Sequence, residues 1–434
     1  MGLTGTRTYV GFGFGAIQAG LFLYEAFQSG HFGRLVVGEI DPGTVADLRG
    51  AKGFYSVNIA HRDGIENARV GPVEVYNPTV AGDREQLVEA IADAEEMGTA
   101  IPSVELYQTE GPGSLHRVLA EGLVRKARES GPRAVVYAAE NHNEAAEILE
   151  RLVMGEVPVE RRDEVRGIVQ FLNTVIGKMS GLVGDPAASG LMTVTATSSQ
   201  AFLVEEFNRI LISRIRLKPR FERGISVFEE KEELLPFEEA KLYGHNATHA
   251  LTAYLGRMAG VRRMTELGSV PGLIEFVREA FLEESGRALI RKHAGVDRLF
   301  TPEGYREYAE DLIERMTNPN LMDTVERVGR DPQRKLGWDD RLIGTMRLVR
   351  SMGIEARRYG IGAAAGFAAL DSRFLEDNAP AGQLAEPLWR SGRIEPAERE
   401  DMLLLIEKGR DFLRLWRRLG LADPSQLLAE MQGP

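Results

Sequence analysis

The sequence predicts an α/β fold: a sheet-and-helix domain over residues 1–200, followed by a mostly α-helical domain over 201–434. Three observations carry this expectation. Short β-prone runs alternate with helical periods through the first half; a glycine-rich turn separates the first strand from the first helix; and beyond Ala201 apolar residues recur at helical spacing opposite charged faces. A chain of 434 residues also exceeds one ordinary core, so two domains of roughly 200 residues each are expected.

The first strand is the β-prone run 8–12. It breaks into Gly13-Phe14-Gly15-Ala16-Ile17-Gln18-Ala19-Gly20, and a helical pattern follows through Leu21, Leu23, Tyr24 and Phe27. A second strand over 34–40 closes on Gly38-Glu39-Ile40-Asp41. Strand, glycine turn, helix, and a strand with an acid at its tip form the opening of a Rossmann-type dinucleotide-binding domain. Gly13 can take the tight turn, and Gly15 lets the backbone approach a pyrophosphate at the helix N-terminus. Gly20 lets the first helix pack closely on the sheet. Glu39 can accept bonds from the adenosine ribose hydroxyls and would repel a 2′-phosphate, which favours NAD over NADP. Gln18 occupies the position of the usual third glycine. The competing reading is a βα turn that holds no ligand.

Further βα units follow, with strands expected over 73–76, at 99–101, over 133–139, and near 167–173 and 191–197. Helices are expected over 84–94 and 115–130. The strand over 133–139 delivers Glu140-Asn141-His142-Asn143 to the sheet edge where open α/β sheets bind ligands. Asn143 can equally serve as a helix N-cap. In the second half, helices are expected at 201–213, 238–259, 272–292, 301–316, 340–352, 356–370, 395–407 and 409–419.

Composition narrows the function. Asp plus Glu number 64 against 53 Lys plus Arg, a formal net charge of -11, which argues against nucleic acid as a partner. With no Cys, disulfides, thiolate nucleophiles and Cys-ligated metals are excluded. No stretch approaches the roughly 20 apolar residues of a membrane span. No signal segment is evident, so a cytoplasmic protein is expected.

The chemistry-bearing segment is Lys241-Leu242-Tyr243-Gly244-His245-Asn246-Ala247-Thr248-His249. At about 100° per residue, Lys241 to Asn246 spans about 140° and Asn246 to His249 about 60°, so Lys241, Asn246 and His249 share one broad face. Alcohol oxidation needs a base for the hydroxyl proton and donors for the developing alkoxide. A lysine whose pKa is lowered can be that base, an asparagine N–H suits the oxyanion, and a histidine can orient a hydroxyl. The plain alternatives are a snorkelling lysine, a helix asparagine and a satisfied core histidine. His245 and His249, four apart, could also hold zinc, but no third ligand is evident nearby.

Lysine, four residues, asparagine, two residues, histidine resembles the signature of the long-chain polyol-specific dehydrogenases, the mannitol dehydrogenase family. The run Ala250 to Gly256 is similar as well, and Gly13, Gly15, Ile17 and Gly20 resemble the family's glycine-x-glycine-x-isoleucine-x-x-glycine opening. The resemblance implies NAD as cofactor, held by Gly13, Gly15, Ile17, Gln18, Gly20 and Glu39. It implies Lys241 as general base, and Asn246 with Asn141 on the reacting oxygen, beside His249. Glu205-Glu206-Phe207 resembles the segment that starts the family's catalytic domain. The run from Asn318 to Leu336, continued by Asp340-Arg341-Leu342, is similar to the mannitol-1-phosphate branch, with Arg327, Arg330 and Arg334 as candidates to clamp an anionic substrate. An Asp-capped helix with solvated arginines is the alternative for that run. The resemblance also implies a monomer without a metal, acting on a small polyol or sugar phosphate. One departure stands out: Gly177-Lys178 lies where the family carries aspartate-arginine. The rival substrates are a free polyol or a sugar acid; a non-catalytic NAD-binding regulator is the rival of another class.

Overall fold

The computed structural model describes residues 3–207, 209–376, 380–389 and 394–431. Two compact units divide the chain, Met1–Leu235 and Pro236–Pro434. The segment 201–235, expected at the head of the helical domain, therefore folds with the first unit.

Among the described residues, twelve strands build the first unit: β1 Arg7–Phe12, β2 Phe32–Gly38, β3 Tyr55–Ala60, β4 Ile65–Val70, β5 Glu74–Tyr76, β6 Glu96–Thr99, β7 Ala134–Ala138, β8 Val169–Ile176, β9 Ser180–Val183, β10 Ala201–Glu205, β11 Ile210–Ser213 and β12 Phe228–Lys231. Eight of them form one sheet in the order β12-β11-β8-β7-β6-β1-β2-β5. From β5 to β8 every pairing is parallel. Counting only these six, the order is 3-2-1-4-5-6, the Rossmann arrangement with its switch point between β1 and β6. β11 then adds antiparallel to β8.

Both faces of this sheet are covered, so its strands are apolar nearly throughout. Tyr9, Val37, Val135 and Tyr137 face one core cluster. Val10, Val36, Val136 and Ala138 face another, against helices Ala81–Asp93, Leu115–Arg128 and Ala145–Glu156. A second sheet, β4-β3-β10-β9, contributes to the first cluster through Tyr55, Val57, Phe202 and Val204.

This second sheet corrects two expectations. The helix expected at 201–213 is the pair β10 and β11, and no strand forms over 191–197. Glu205, expected near the start of the catalytic domain, ends β10 and accepts a hydrogen bond from the Met179 N–H.

The second unit is helical. A continuous run over 235–258 is α-helical at Leu235–Glu239, π-helical at Ala240–Asn246 and α-helical again at Ala247–Met258. Helices Pro302–Met316 and Arg357–Leu370 match expectation closely. The two helices expected at 395–407 and 409–419 are one helix, Pro396–Arg418, because Lys408 and Gly409 do not interrupt its buried stripe of Met402, Leu405, Ile406, Gly409, Phe412, Leu413 and Trp416. Among the described residues no helix is long and apolar enough to cross a membrane.

Candidate active site

In the first unit, the candidate cofactor residues gather at the carboxyl edge of the sheet. Gly13 has φ +80°, and its N–H donates to the Gly38 carbonyl at 2.9 Å. A Cβ at Gly13 would lie 2.9 Å from the Ala100 carbonyl oxygen and 3.1 Å from Ile101 Cγ2, so only glycine fits the turn. Gly15 faces open space, with nothing within 4 Å of where its Cβ would be. The helical run over 16–29 starts directly behind it, and the unpaired N–H groups of a first helical turn favour an anion. Glu39 follows β2 and accepts the Phe14 N–H at 2.7 Å and the Asp41 N–H at 2.8 Å. Each of its oxygens keeps a further lone pair for a ribose hydroxyl. This donor and acceptor set fits a dinucleotide.

The other three candidates support the loop from behind. Gln18 is fully buried, and its Nε2 donates to the Tyr9 hydroxyl at 2.9 Å. Ile17 packs on the first core cluster. Gly20 touches the second sheet: a Cβ there would lie 2.5 Å from Val204 Cγ1 on β10. The close approach expected of Gly20 is therefore made to the second sheet. Beyond β7, Asn141 is exposed and follows a buried carboxylate, Glu140.

The second unit holds Lys241, Asn246 and His249 on its first helical run. Lys241 and Asn246 lie within the π-helical turn. There, i→i+5 bonding sets residues five apart one above the other, closer than the 140° of an α-helix. Lys241 is half-buried, and its pKa is pushed down to about 8, by burial first and then by the Arg341 guanidinium, against the opposing pull of Glu238. Asn246 is half-buried, and its side chain makes no capping hydrogen bond to the helix that follows it. His249 Nε2 is shielded from solvent and has no hydrogen-bond partner among the described residues. Burial, then the charges of Arg327, Arg341, Arg315 and Lys335, lower the His249 pKa to about 3, so the ring is neutral. His245, with its ring centroid 6.1 Å from that of His249, is likewise pushed well below the ordinary range by burial and Arg315. Among the described residues, no group of three or more His, Cys, Asp or Glu could hold a metal.

The cations around His249 are only partly those singled out in the sequence. Arg327 belongs to the set and pairs with the buried Asp323. Arg334 instead makes an exposed pair with Asp331 at 3.2 Å, and Arg330 is also exposed. Neither is among the main charges acting on Lys241 or His249. Their places are taken by three cations the sequence reading passed over. Lys335 is buried, donates to the Arg330 carbonyl, and is lowered to about 8 by burial and by Arg341. Arg341 is 11% exposed and pairs with Asp340 at 2.8 Å. Arg315 is 12% exposed and pairs with Asp311 at 3.0 Å. Lys335 and Arg341 stand within the motif run already quoted, whereas Arg315 comes from the preceding helix and carried no sequence signal.

A Rossmann unit followed by a helical unit is the arrangement of a two-domain NAD-dependent oxidoreductase. The family is identified directly: residues 7–221 match the mannitol dehydrogenase Rossmann domain and residues 233–402 the mannitol dehydrogenase C-terminal domain, so the chain belongs to the mannitol dehydrogenase family. Two solved structures share its fold. Mannitol 2-dehydrogenase of Pseudomonas fluorescens, in ternary complex with NAD and D-mannitol, aligns with a TM-score of 0.72 at 16% identity, covering 99% of this chain and 95% of that one. A D-sorbitol dehydrogenase in substrate-free form aligns with a TM-score of 0.74 at 14% identity, covering 97% and 95%.

Proposed function

We propose that this chain is a reversible NAD-dependent polyol dehydrogenase whose general base is Lys241 and whose substrate carries an anionic end, as mannitol 1-phosphate and fructose 6-phosphate do. The observation that carries the reading is the π-helical turn over 240–246, which sets a lowered-pKa lysine and an amide donor five residues apart. Gly13, Gly15 and Glu39 would hold the dinucleotide, whose nicotinamide supplies the hydride acceptor for oxidation and the donor for reduction.

In oxidation, neutral Lys241 takes the proton of the substrate hydroxyl at Nζ as the C–H bond breaks. The Asn246 N–H donates to the oxygen as charge develops on it. Neutral His249 orients a neighbouring hydroxyl through its unpartnered Nε2. In reduction, protonated Lys241 returns the proton to the carbonyl oxygen.

The anionic end follows from the second unit's charges. Arg327, Arg341, Arg315 and Lys335 are the four main charges acting on His249; the arginines pair with Asp323, Asp340 and Asp311, and Lys335 donates to the Arg330 carbonyl. Such a set recognises phosphate or carboxylate. A free polyol is the second reading, favoured by the D-mannitol in the P. fluorescens relative.

NADH-dependent reduction of fructose 6-phosphate, fructose and tagaturonate, followed at the nicotinamide absorbance, tests the assignment. Turnover of the phosphate alone is the expected result. Turnover of fructose with equal efficiency would favour the free polyol, and of tagaturonate the sugar acid. NADH binding without turnover of any of them would favour the regulator.

A further inference from the structure

Glu140 lies one residue before Asn141 at the carboxyl end of β7, and it is 5% exposed. A carboxylate in such a place is costly unless its lone pairs are filled. Here they are filled by one neighbouring segment. The Ile101 N–H donates to Oε1 at 3.0 Å, the Thr99 hydroxyl donates to Oε2 at 2.8 Å, and the Tyr107 hydroxyl donates to Oε2 as well. Thr99 ends β6, Ile101 lies just beyond it, and Tyr107 closes the short 3-10 helix Val104–Tyr107. All three donors thus belong to the chain leaving the strand beside the switch point.

That chain in turn forms one wall of the glycine loop. The contacts that exclude a side chain at Gly13 are the Ala100 carbonyl oxygen and Ile101 Cγ2. The loops after β1, β6 and β7 are therefore joined through a single side chain: Glu140 holds Ile101, Ile101 abuts Gly13, and Asn141 follows Glu140 in sequence. Burial pushes the Glu140 carboxyl above its ordinary range, while its three donors favour the ionised form.

We infer that Glu140 is a positioning residue, which fixes the segment over 99–107 against the glycine loop and so shapes the cofactor cleft while setting the backbone that presents Asn141. The nucleotide half of this inference rests on the proposed dehydrogenase reading; the ordering of the segment does not.

The amide of Glu140→Gln can replace the carboxylate. Its oxygen would accept from the Ile101 N–H, and its N–H groups would donate to the Thr99 and Tyr107 hydroxyls, which can turn to accept. Glu140→Ala would leave the Ile101 N–H without its acceptor and take the carboxylate from the Thr99 and Tyr107 hydroxyls. Two measurements on the full chain test this: amide hydrogen exchange of the free protein, and NADH affinity by nicotinamide fluorescence, with Val136→Ala as a control for general loss of core packing.

In Glu140→Ala, exchange over 99–107 and 11–15 should rise and NADH affinity fall by about tenfold. Glu140→Gln should stay near wild type in both, and Val136→Ala should lower the melting temperature with NADH affinity unchanged. If Glu140→Ala does not fold, Tyr107→Phe with Thr99→Val removes two donors and should give the same pattern in weaker form. Unchanged exchange over 99–107 in the variants without their hydrogen bonds would overturn the inference, as would a Glu140→Gln protein as impaired as the alanine variant. A wild-type chain that binds no NADH, with exchange still raised in Glu140→Ala, would defeat the dehydrogenase reading and leave the positioning of the segment standing.

Discussion

Lys241 and Asn246 stand five positions apart inside a π-helical turn, so an i→i+5 bonding pattern sets one above the other. An α-helix would set them about 140° apart. The turn therefore brings the proposed proton acceptor and the proposed amide donor toward the same side of one element. Asn246→Ala should lower kcat by about 100-fold or more with a smaller change in KM, the loss expected when one donor to a developing oxyanion is removed. Steady-state kinetics on the best keto substrate checks this; a change confined to KM would reassign Asn246 to substrate binding.

The lysine's environment sets a pH dependence. With a pKa of about 8, Lys241 is mostly protonated below that value and mostly neutral above it. Polyol oxidation needs the neutral amine, so its rate should rise with pH and level off above about 8. Reduction needs the protonated amine and should fall over the same range. Arg341 lowers the lysine pKa, so Arg341→Ala should shift both limbs to higher pH. Profiles of kcat in both directions measure the shift.

The four cations acting on His249 predict a selective loss. Lys335→Ala or Arg327→Ala should raise KM for fructose 6-phosphate by about tenfold or more while changing that for fructose much less. Arg334→Ala is the contrast. Its side chain is 55% exposed and paired with Asp331, so it should stay within about twofold of wild type.

At the other end of the chemistry, Glu39 has two jobs. Its carboxylate accepts the Phe14 N–H and is proposed to accept from a ribose diol as well. Glu39→Ser should weaken NADH binding and narrow the preference for NADH over NADPH by about tenfold. Parallel titrations with the two nucleotides check this. An unchanged preference would remove Glu39 from cofactor recognition.

Much of this arrangement was legible in the sequence because local patterns matched local structure. The glycine turn, the acid after β2 and the period of the long helices each follow from short-range rules. The second sheet did not. Residues 201–213 carry Phe202, Leu203, Val204, Ile210, Leu211 and Ile212 at spacings that suit a helix, yet they are two short strands in different sheets. Their identity is set by partners distant in sequence, such as Asn58 Nδ2, which donates to the Phe202 carbonyl at 2.8 Å. The π turn was hidden for a related reason: Lys241, Asn246 and His249 suit an α-helix almost as well. Arg334 and Arg315 differ in burial, which is not written in a motif. The first found Asp331 at the surface, while the second is drawn inward from a neighbouring helix.

The central claim is that Lys241 is the base. Lys241→Ala can be compared with wild type by stopped-flow mixing of the NADH-bound protein with the keto sugar that the wild type reduces best. The account predicts a single-turnover rate lower by about 1000-fold, within the range expected when a general acid–base group is lost, with NADH affinity unchanged within about twofold. A variant that reduces the sugar at the wild-type rate would contradict it.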